Sequence, residues 1–294
     1  MQQDGSGQER AGLKQDRGSS RSGGGERCRQ GSGAPKKLGG RVRGRGASVA
    51  VSLMAVGLMA GAGLLVAPPS AQASVGVIDG KKSVYGPWAV RMLVDGKPHC
   101  TGTALTDQWV ISASHCFFDR PDKPVADRRI TFRAGNLNQR EGQKVRVIRG
   151  SRVASPNGAD VMLIKVQKMK DVKPAKLSRA AVRPGQAVRV FGWGATCEDD
   201  EHKCQANQLR QADLKVLSAK KKGCEYYAAP GGKDFCAVKV RGVPAGGDSG
   251  APVMTIAPKG KERMVGVFWG SDREKMVGAA AITKQLKWIR SVTG

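Results

Sequence analysis

Three residues in this chain combine types that can perform nucleophilic acyl chemistry. Ser249 lies in Gly246-Gly247-Asp248-Ser249-Gly250-Ala251-Pro252, His115 ends the run Trp109-Val110-Ile111-Ser112-Ala113-Ser114-His115-Cys116, and Asp160 heads Asp160-Val161-Met162-Leu163-Ile164-Lys165-Val166. A serine hydroxyl is a poor nucleophile until a base takes its proton and nearby dipoles receive the charge it creates. A histidine can supply the base, and a carboxylate can hold that histidine in the productive tautomer. Glycines around Ser249 let the backbone turn tightly and let a substrate carbonyl approach the amide N–H groups. The heptapeptide alone also reads as a glycine-rich surface turn. His115 and Asp160, each abutting an apolar run, are what make the three a candidate set.

The elements that must position them are strands. Apolar and β-branched runs at residues 88–94, 109–112, 130–134, 144–148, 161–166, 187–193 and 264–269 alternate with Gly, Pro, Asn and Asp turns. Many short strands at such spacing predict an all-β sandwich or barrel. Helical periodicity is confined to the end, where Ile282, Leu286, Ile289 and Val292 predict one short amphipathic α-helix.

The chain order His115, Asp160, Ser249 and five blocks taken in sequence carry a resemblance. The blocks are Val77-Ile78-Asp79-Gly80, Ser112-Ala113-Ser114-His115-Cys116, residues 160–166, Phe191-Gly192-Trp193-Gly194 and Gly247-Asp248-Ser249-Gly250-Ala251-Pro252. From Val77 to the C-terminus the chain resembles the trypsin/chymotrypsin family of serine proteases, and most of all its bacterial secreted members. That resemblance implies two six-stranded antiparallel β-barrels, residues 77–176 and 177–294, joined near 173–183. The active site would lie in the cleft between them, and the terminal helix would close the chain. It implies a serine endopeptidase acting on protein or peptide substrates through an acyl-enzyme. His115 would be the base, Asp160 its orienter, and the amides of Gly247 and Ser249 the oxyanion hole. Asp248 would pair with the α-amino group of Val77 once processing frees it, although Ser74-Val75-Gly76 offers no Lys or Arg for tryptic cleavage. Counting from Ser249 puts Val243 at the base of the primary pocket, with Phe268, Trp269 and Gly270 on one wall and Gly278 on the other. An apolar Val243 argues against preference for Lys or Arg. Phe268 replaces a usual serine; Ser114 for Ala and Ala251 for Gly are smaller departures.

Residues 1–46 are rich in Gly, Ser, Arg and Gln with little aliphatic content, the composition of a disordered basic leader. Arg41, Arg43 and Arg45, the apolar run 47–67 and Ala71-Gln72-Ala73 form a secretory signal with cleavage after Ala73, an uncleaved anchor being the rival reading. Residues 74–76 are then a short pro-segment, secretion the expected destination, and the membrane a partner only in transit. The whole chain carries 50 Lys/Arg and 24 Asp/Glu. Setting aside the 11 and 4 in residues 1–73 leaves 39 and 20, a net charge of +19. The cations are scattered apart from Lys220-Lys221-Lys222 and accompany no nucleic-acid motif, so a solvated surface is expected rather than a specific nucleic-acid partner. The competing functional class is a non-catalytic protease-like protein whose basic surface binds polyanions.

Cys28 falls in the leader. The other six cysteines, Cys100, Cys116, Cys197, Cys204, Cys224 and Cys236, suit an oxidising compartment and allow fifteen pairings. The resemblance implies Cys100–Cys116 and Cys224–Cys236, which leaves Cys197 and Cys204 to close a short loop. The consecutive acids and histidine of 198–202 lack the alternating spacing of a calcium loop. No metal, no cofactor and a monomer are expected.

Overall fold

The structure of the protein, a computed structural model, describes residues 77–121, 123–197 and 200–294. The expected leader, signal, cleavage site and pro-segment lie outside the described residues. In chain order the strands are β1 (Lys81–Lys82), β2 (Ala89–Val94), β3 (Lys97–Ala104), β4 (Trp109–Ser112), β5 (Phe118–Arg120), β6 (Lys123–Pro124), β7 (Ile130–Ala134), β8 (Gln143–Arg146), β9 (Val153–Ala154), β10 (Met162–Lys165), β11 (Ala187–Gly192), β12 (Arg210–Val216), β13 (Asp234–Arg241), β14 (Pro252–Thr255), β15 (Met264–Ser271) and β16 (Met276–Ala281). Apart from the small β5–β6 ribbon they form two antiparallel sheets.

The first sheet runs β8-β7-β2-β3-β4-β10-β9, and a bridge between Val147 and Val166 brings the segments beyond β8 and β10 together. The second runs β1-β12-β11-β14-β15-β16-β13, and a further β12–β13 pairing closes it on itself. Each is thus a barrel of six main strands, with the two-residue β9 or β1 added at one edge. Alternation explains the packing. On β12, Ala212, Leu214 and Val216 are buried while Lys215 between them is exposed, the two-residue period of a strand with one face on a core.

Each barrel has its own core, around Val90, Met92, Phe117, Ile130 and Phe132 in the first and Val188, Val190, Leu214, Val253 and Val265 in the second. A third cluster of Trp88, Ile111, Leu163, Phe191, Trp193, Leu209 and Val267 joins residues from both sheets. Full burial of such side chains contributes roughly 1.5–3 kcal/mol apiece, and in this cluster it holds the two barrels to one another.

The terminal helix is shorter than its periodicity predicts. Ile282 belongs to a 3₁₀ turn (Ile282–Lys284), and α1 spans Leu286–Thr293. The buried Gln285 separates them: its amide donates to the Ile282 carbonyl at 2.9 Å and its side-chain carbonyl accepts from Ser155 Oγ at 2.7 Å. Ile289 is buried, and Leu286 and Val292 pack beside it on the third cluster.

Candidate active site

His115 and Asp160 are brought together by strand register. β4 pairs antiparallel with β10, Ser112 opposite Met162, so the chain leaving β4 runs alongside the chain entering β10. Past β4 the backbone makes a 3₁₀ turn (Ser114–Phe117) that buries Cys116 and Phe117 and leaves His115 partly exposed. The Cys100–Cys116 disulfide ties that turn to β3. Asp160 then accepts twice from His115. The backbone N–H reaches Oδ1 at 2.9 Å, and ring Nδ1 reaches Oδ2 at 2.6 Å. Burial works against the Asp160 charge, but the His115 ring and the backbone N–H groups of His115 and Ser114 outweigh it and hold the carboxyl below its usual range. A ring that donates through Nδ1 keeps Nε2 as its acceptor.

Ser249 sits between β13 and β14 in a loop that the first barrel grips. The Thr101 N–H donates to the Ser249 carbonyl at 2.9 Å, Thr101 Oγ1 donates to the Gly247 carbonyl at 2.9 Å, and Arg91 Nη1 reaches the same carbonyl at 2.8 Å. Thr101 follows Cys100, so β3 carries both the anchor of the serine loop and the tether of the histidine turn. Gly247 and Gly250 have φ of +91° and +83°, a region costly for residues with a Cβ. Among the described residues neither the Gly247 N–H, the Ser249 N–H nor the Ser249 hydroxyl has a hydrogen-bond partner.

Asp248 is fully buried. Its carboxylate accepts the N–H of Gly194 at 2.7 Å and of Ala245 at 3.0 Å. A Cβ on Gly192 or Gly194 would collide with it, which is why the block Phe191-Gly192-Trp193-Gly194 is spaced as it is. Burial pushes the carboxyl up to about 6, against the pull of the two amides and of nearby Arg91. Val77 is also fully buried, in the core of the second barrel. In the uncut chain its nitrogen is part of a peptide bond.

The other expected residues divide. Phe268, Trp269 and Gly270 line a hollow of about 120 Å³ beside Ser249, together with Ala245, Gly246, Ser271 and Arg273. Val243 and Gly278 do not. Val243 is fully buried and donates its N–H to the Ile78 carbonyl at 2.8 Å, and Gly278 lies so close beneath the Trp269 indole that any side chain would strike it. Trp269 in turn stacks on Tyr227, ring centres 5.8 Å apart. The apolar blocks did not mark Arg273, which pairs with Glu201, nor the buried Arg91. Larger hollows exist, one of about 510 Å³ between Asp127 and Gln167, but none of them is lined by Ser249, His115 or Asp160. The six cysteines among the described residues form Cys100–Cys116, Cys197–Cys204 and Cys224–Cys236, so the sulfurs near His115 are bonded to each other and offer no thiolate to a metal.

The family model described as Trypsin matches residues 77–289. The chain belongs to the trypsin family. It is 29% identical to Kallikrein-8 of Rattus norvegicus over 71% of this chain and 82% of that protein, and 30% identical to Trypsin-2 of Salmo salar over 55% and 71%. In fold it matches a solved mouse structure described as neuropsin, a serine protease expressed in the limbic system of mouse brain, with a TM-score of 0.60 at 23% identity over 74% of this chain and 99% of the other. These relatives make the protein a serine-type endopeptidase. They are animal enzymes and lend no support to the likeness to bacterial secreted members.

Proposed function

We propose that the protein is a secreted endopeptidase that hydrolyses peptide bonds through Ser249, His115 and Asp160. One observation supports this reading: β3, through Cys100 and Thr101, ties the turn of a histidine held at Nδ1 by a carboxylate to the loop of a serine whose hydroxyl is uncommitted. His115 Nε2 takes the Ser249 proton as the hydroxyl oxygen attacks the substrate carbonyl, then returns it to the leaving amine. Asp160 keeps the tautomer and steadies the imidazolium. The N–H groups of Gly247 and Ser249, left without partners, receive the developing oxyanion. Water then hydrolyses the acyl-enzyme by the same route. Domains 77–176 and 177–294 contribute the base pair and the nucleophile respectively.

The hollow beside Ser249 suits a small uncharged side chain, because its volume is modest and Arg273 stands at its edge. Lys and Arg are disfavoured there. Three disulfides fit an oxidising compartment, in keeping with export through the segment ending at Ala73. Cleavage before Val77 would place an ammonium in the second barrel's core, a counter-charge for a buried Asp248 that makes no ion pair in the uncut chain among the described residues. The test is a cleavage profile on a peptide library with wild type, Ser249→Ala and His115→Ala. Both variants should lose amide hydrolysis while remaining folded. Unchanged cleavage by Ser249→Ala rejects the assignment.

A further inference from the structure

Arg91 is a lone cation in the apolar strand Ala89-Val90-Arg91-Met92-Leu93-Val94, and it is fully buried. Val90 and Met92 face the first barrel's core, so alternation turns Arg91 the other way, towards the serine loop. Its donors are almost all engaged. Nε donates to Gln139 Oε1 at 2.9 Å, Nη1 to the carbonyls of Gly247 at 2.8 Å and Cys100 at 3.3 Å, and Nη2 to Gln205 Oε1 at 2.5 Å. Gln205, fixed at its oxygen by Arg91, donates from Nε2 to the Gly246 carbonyl at 2.9 Å, which also accepts the Ala195 N–H at 2.7 Å. Burial lowers the guanidinium pKa to about 10, with the Asp248 charge opposing that fall, so it stays charged at neutral pH.

A trans peptide points its C=O and its N–H in opposite directions. The Gly246 carbonyl and the Gly247 N–H belong to one peptide unit. Holding that carbonyl inward, on Gln205 and Ala195, therefore turns the Gly247 N–H outward. Glycine on both sides makes this unit one of the easiest in the chain to flip. The space behind it is already filled: a Cβ on Gly246 would strike the Glu201 carboxylate, and one on Gly247 the Gln205 amide.

The geometry points to Arg91 as a positioning residue that sets the oxyanion donor of Gly247 through Gln205 at the Gly246 carbonyl, while its own bond to the Gly247 carbonyl holds the next peptide unit in place. This rests on the role proposed above for the Gly247 N–H. The guanidinium touches neither substrate nor the reacting atoms. It acts by keeping one peptide unit from turning over.

The test uses the full processed protein carrying Arg91→Met, Arg91→Lys or Gln205→Leu, with kcat and KM on a peptide amide and inhibition by a peptide aldehyde, whose hemiacetal presents an oxyanion. Losing one oxyanion donor typically lowers kcat about 10²–10³-fold. Arg91→Met should show a loss of that order with KM within about threefold, and a parallel loss of aldehyde affinity. Gln205→Leu, at a half-buried site outside the strands, should lose part of the same factor, and the two losses should not add. Arg91→Lys should recover little, because an ammonium cannot span Gly247, Gln205 and Gln139 together. A folded Arg91→Met or Gln205→Leu with kcat and aldehyde affinity within twofold of wild type overturns the inference. If Arg91→Met does not fold, Gln205→Leu alone decides it. Failure of the underlying reading looks different, because wild type and Ser249→Ala would then cleave alike.

Discussion

Gly250→Ala tests how the barrels hold the nucleophile. The residue follows Ser249, has φ of +83°, and donates its N–H to the Phe268 carbonyl at 2.8 Å. An added Cβ would collide with Ser112 Oγ and the Thr101 carbonyl and stand 2.8 Å from the Ala113 nitrogen. Two of these are backbone atoms of the first barrel, so the loop must move away from His115. The left-handed backbone costs about 1–2 kcal/mol for a residue with a Cβ, and overpacking typically adds 1–3 kcal/mol. The total of about 2–5 kcal/mol predicts a melting temperature lower by roughly 10 °C for a domain of this size. Displacing a reacting group by about 1 Å costs about 10²-fold in rate. Gly150→Ala is the matched control, since Gly150 has φ of +73° with nothing near the added Cβ. It should lose about 1–2 kcal/mol from backbone conformation alone and keep full activity. Thermal melts and kcat/KM on one peptide amide read both variants. Gly250→Ala with activity within twofold of wild type, or Gly150→Ala with an equal loss, would refute the reasoning.

In the uncut chain, before any ammonium at Val77 can pair with it, Asp248 has a folded-state pKa raised to about 6, above an unfolded value of about 3.9. Between those two values the native state holds a proton that the unfolded state has lost, so stability should fall by about 2–3 kcal/mol as pH rises from about 4 to about 6. Asp248→Asn should flatten that slope in urea titrations across the window, and an unchanged slope would contradict the assignment. Replacing Cys197 and Cys204 together by Ser should cost about 2–3 kcal/mol from loop entropy and lower kcat, since their loop carries Glu201 and supports Gln205 behind Gly246; denaturant midpoints and steady-state rates read the two effects. Arg273→Glu should raise kcat/KM for Lys or Arg at the cleavage position at least tenfold, with some loss of stability, because the Glu201 side chain, 17% exposed, exchanges its partner for a like charge. A library profile identical to wild type would exclude Arg273 from the pocket.

The contact of His115 with Asp160 was legible because register makes it local. Two apolar runs, each with a polar residue just beyond its end, become neighbours once β4 and β10 pair, and the apolar content of the runs foretells that pairing. Glycines of the serine loop were legible for the same reason, their spacing being set by backbone conformation. β3 and β16 are harder to read, since Lys97–Ala104 and Met276–Ala281 hold few β-branched residues and are strands by virtue of their partners. Arg91 is harder still. A single Arg in an apolar strand looks like the solvent side of an alternating pattern, and its burial depends on Gln139, Gln205 and Gly247, which lie 48, 114 and 156 residues away in sequence. Val243 was placed by counting from Ser249. Counting fixes distance along the chain and says nothing of the residue's burial or its backbone bond to Ile78. Gly278 is covered by Trp269, which no local pattern announces.

The central claim, that Ser249 is a nucleophile activated by His115, is tested most directly by mass spectrometry after reaction with a fluorophosphonate. A single adduct is expected on the Ser249 peptide at neutral pH, slowed about 10³-fold or more in His115→Ala and absent in Ser249→Ala. No adduct on a folded, processed wild type, or an adduct on another serine that survives Ser249→Ala, would contradict it.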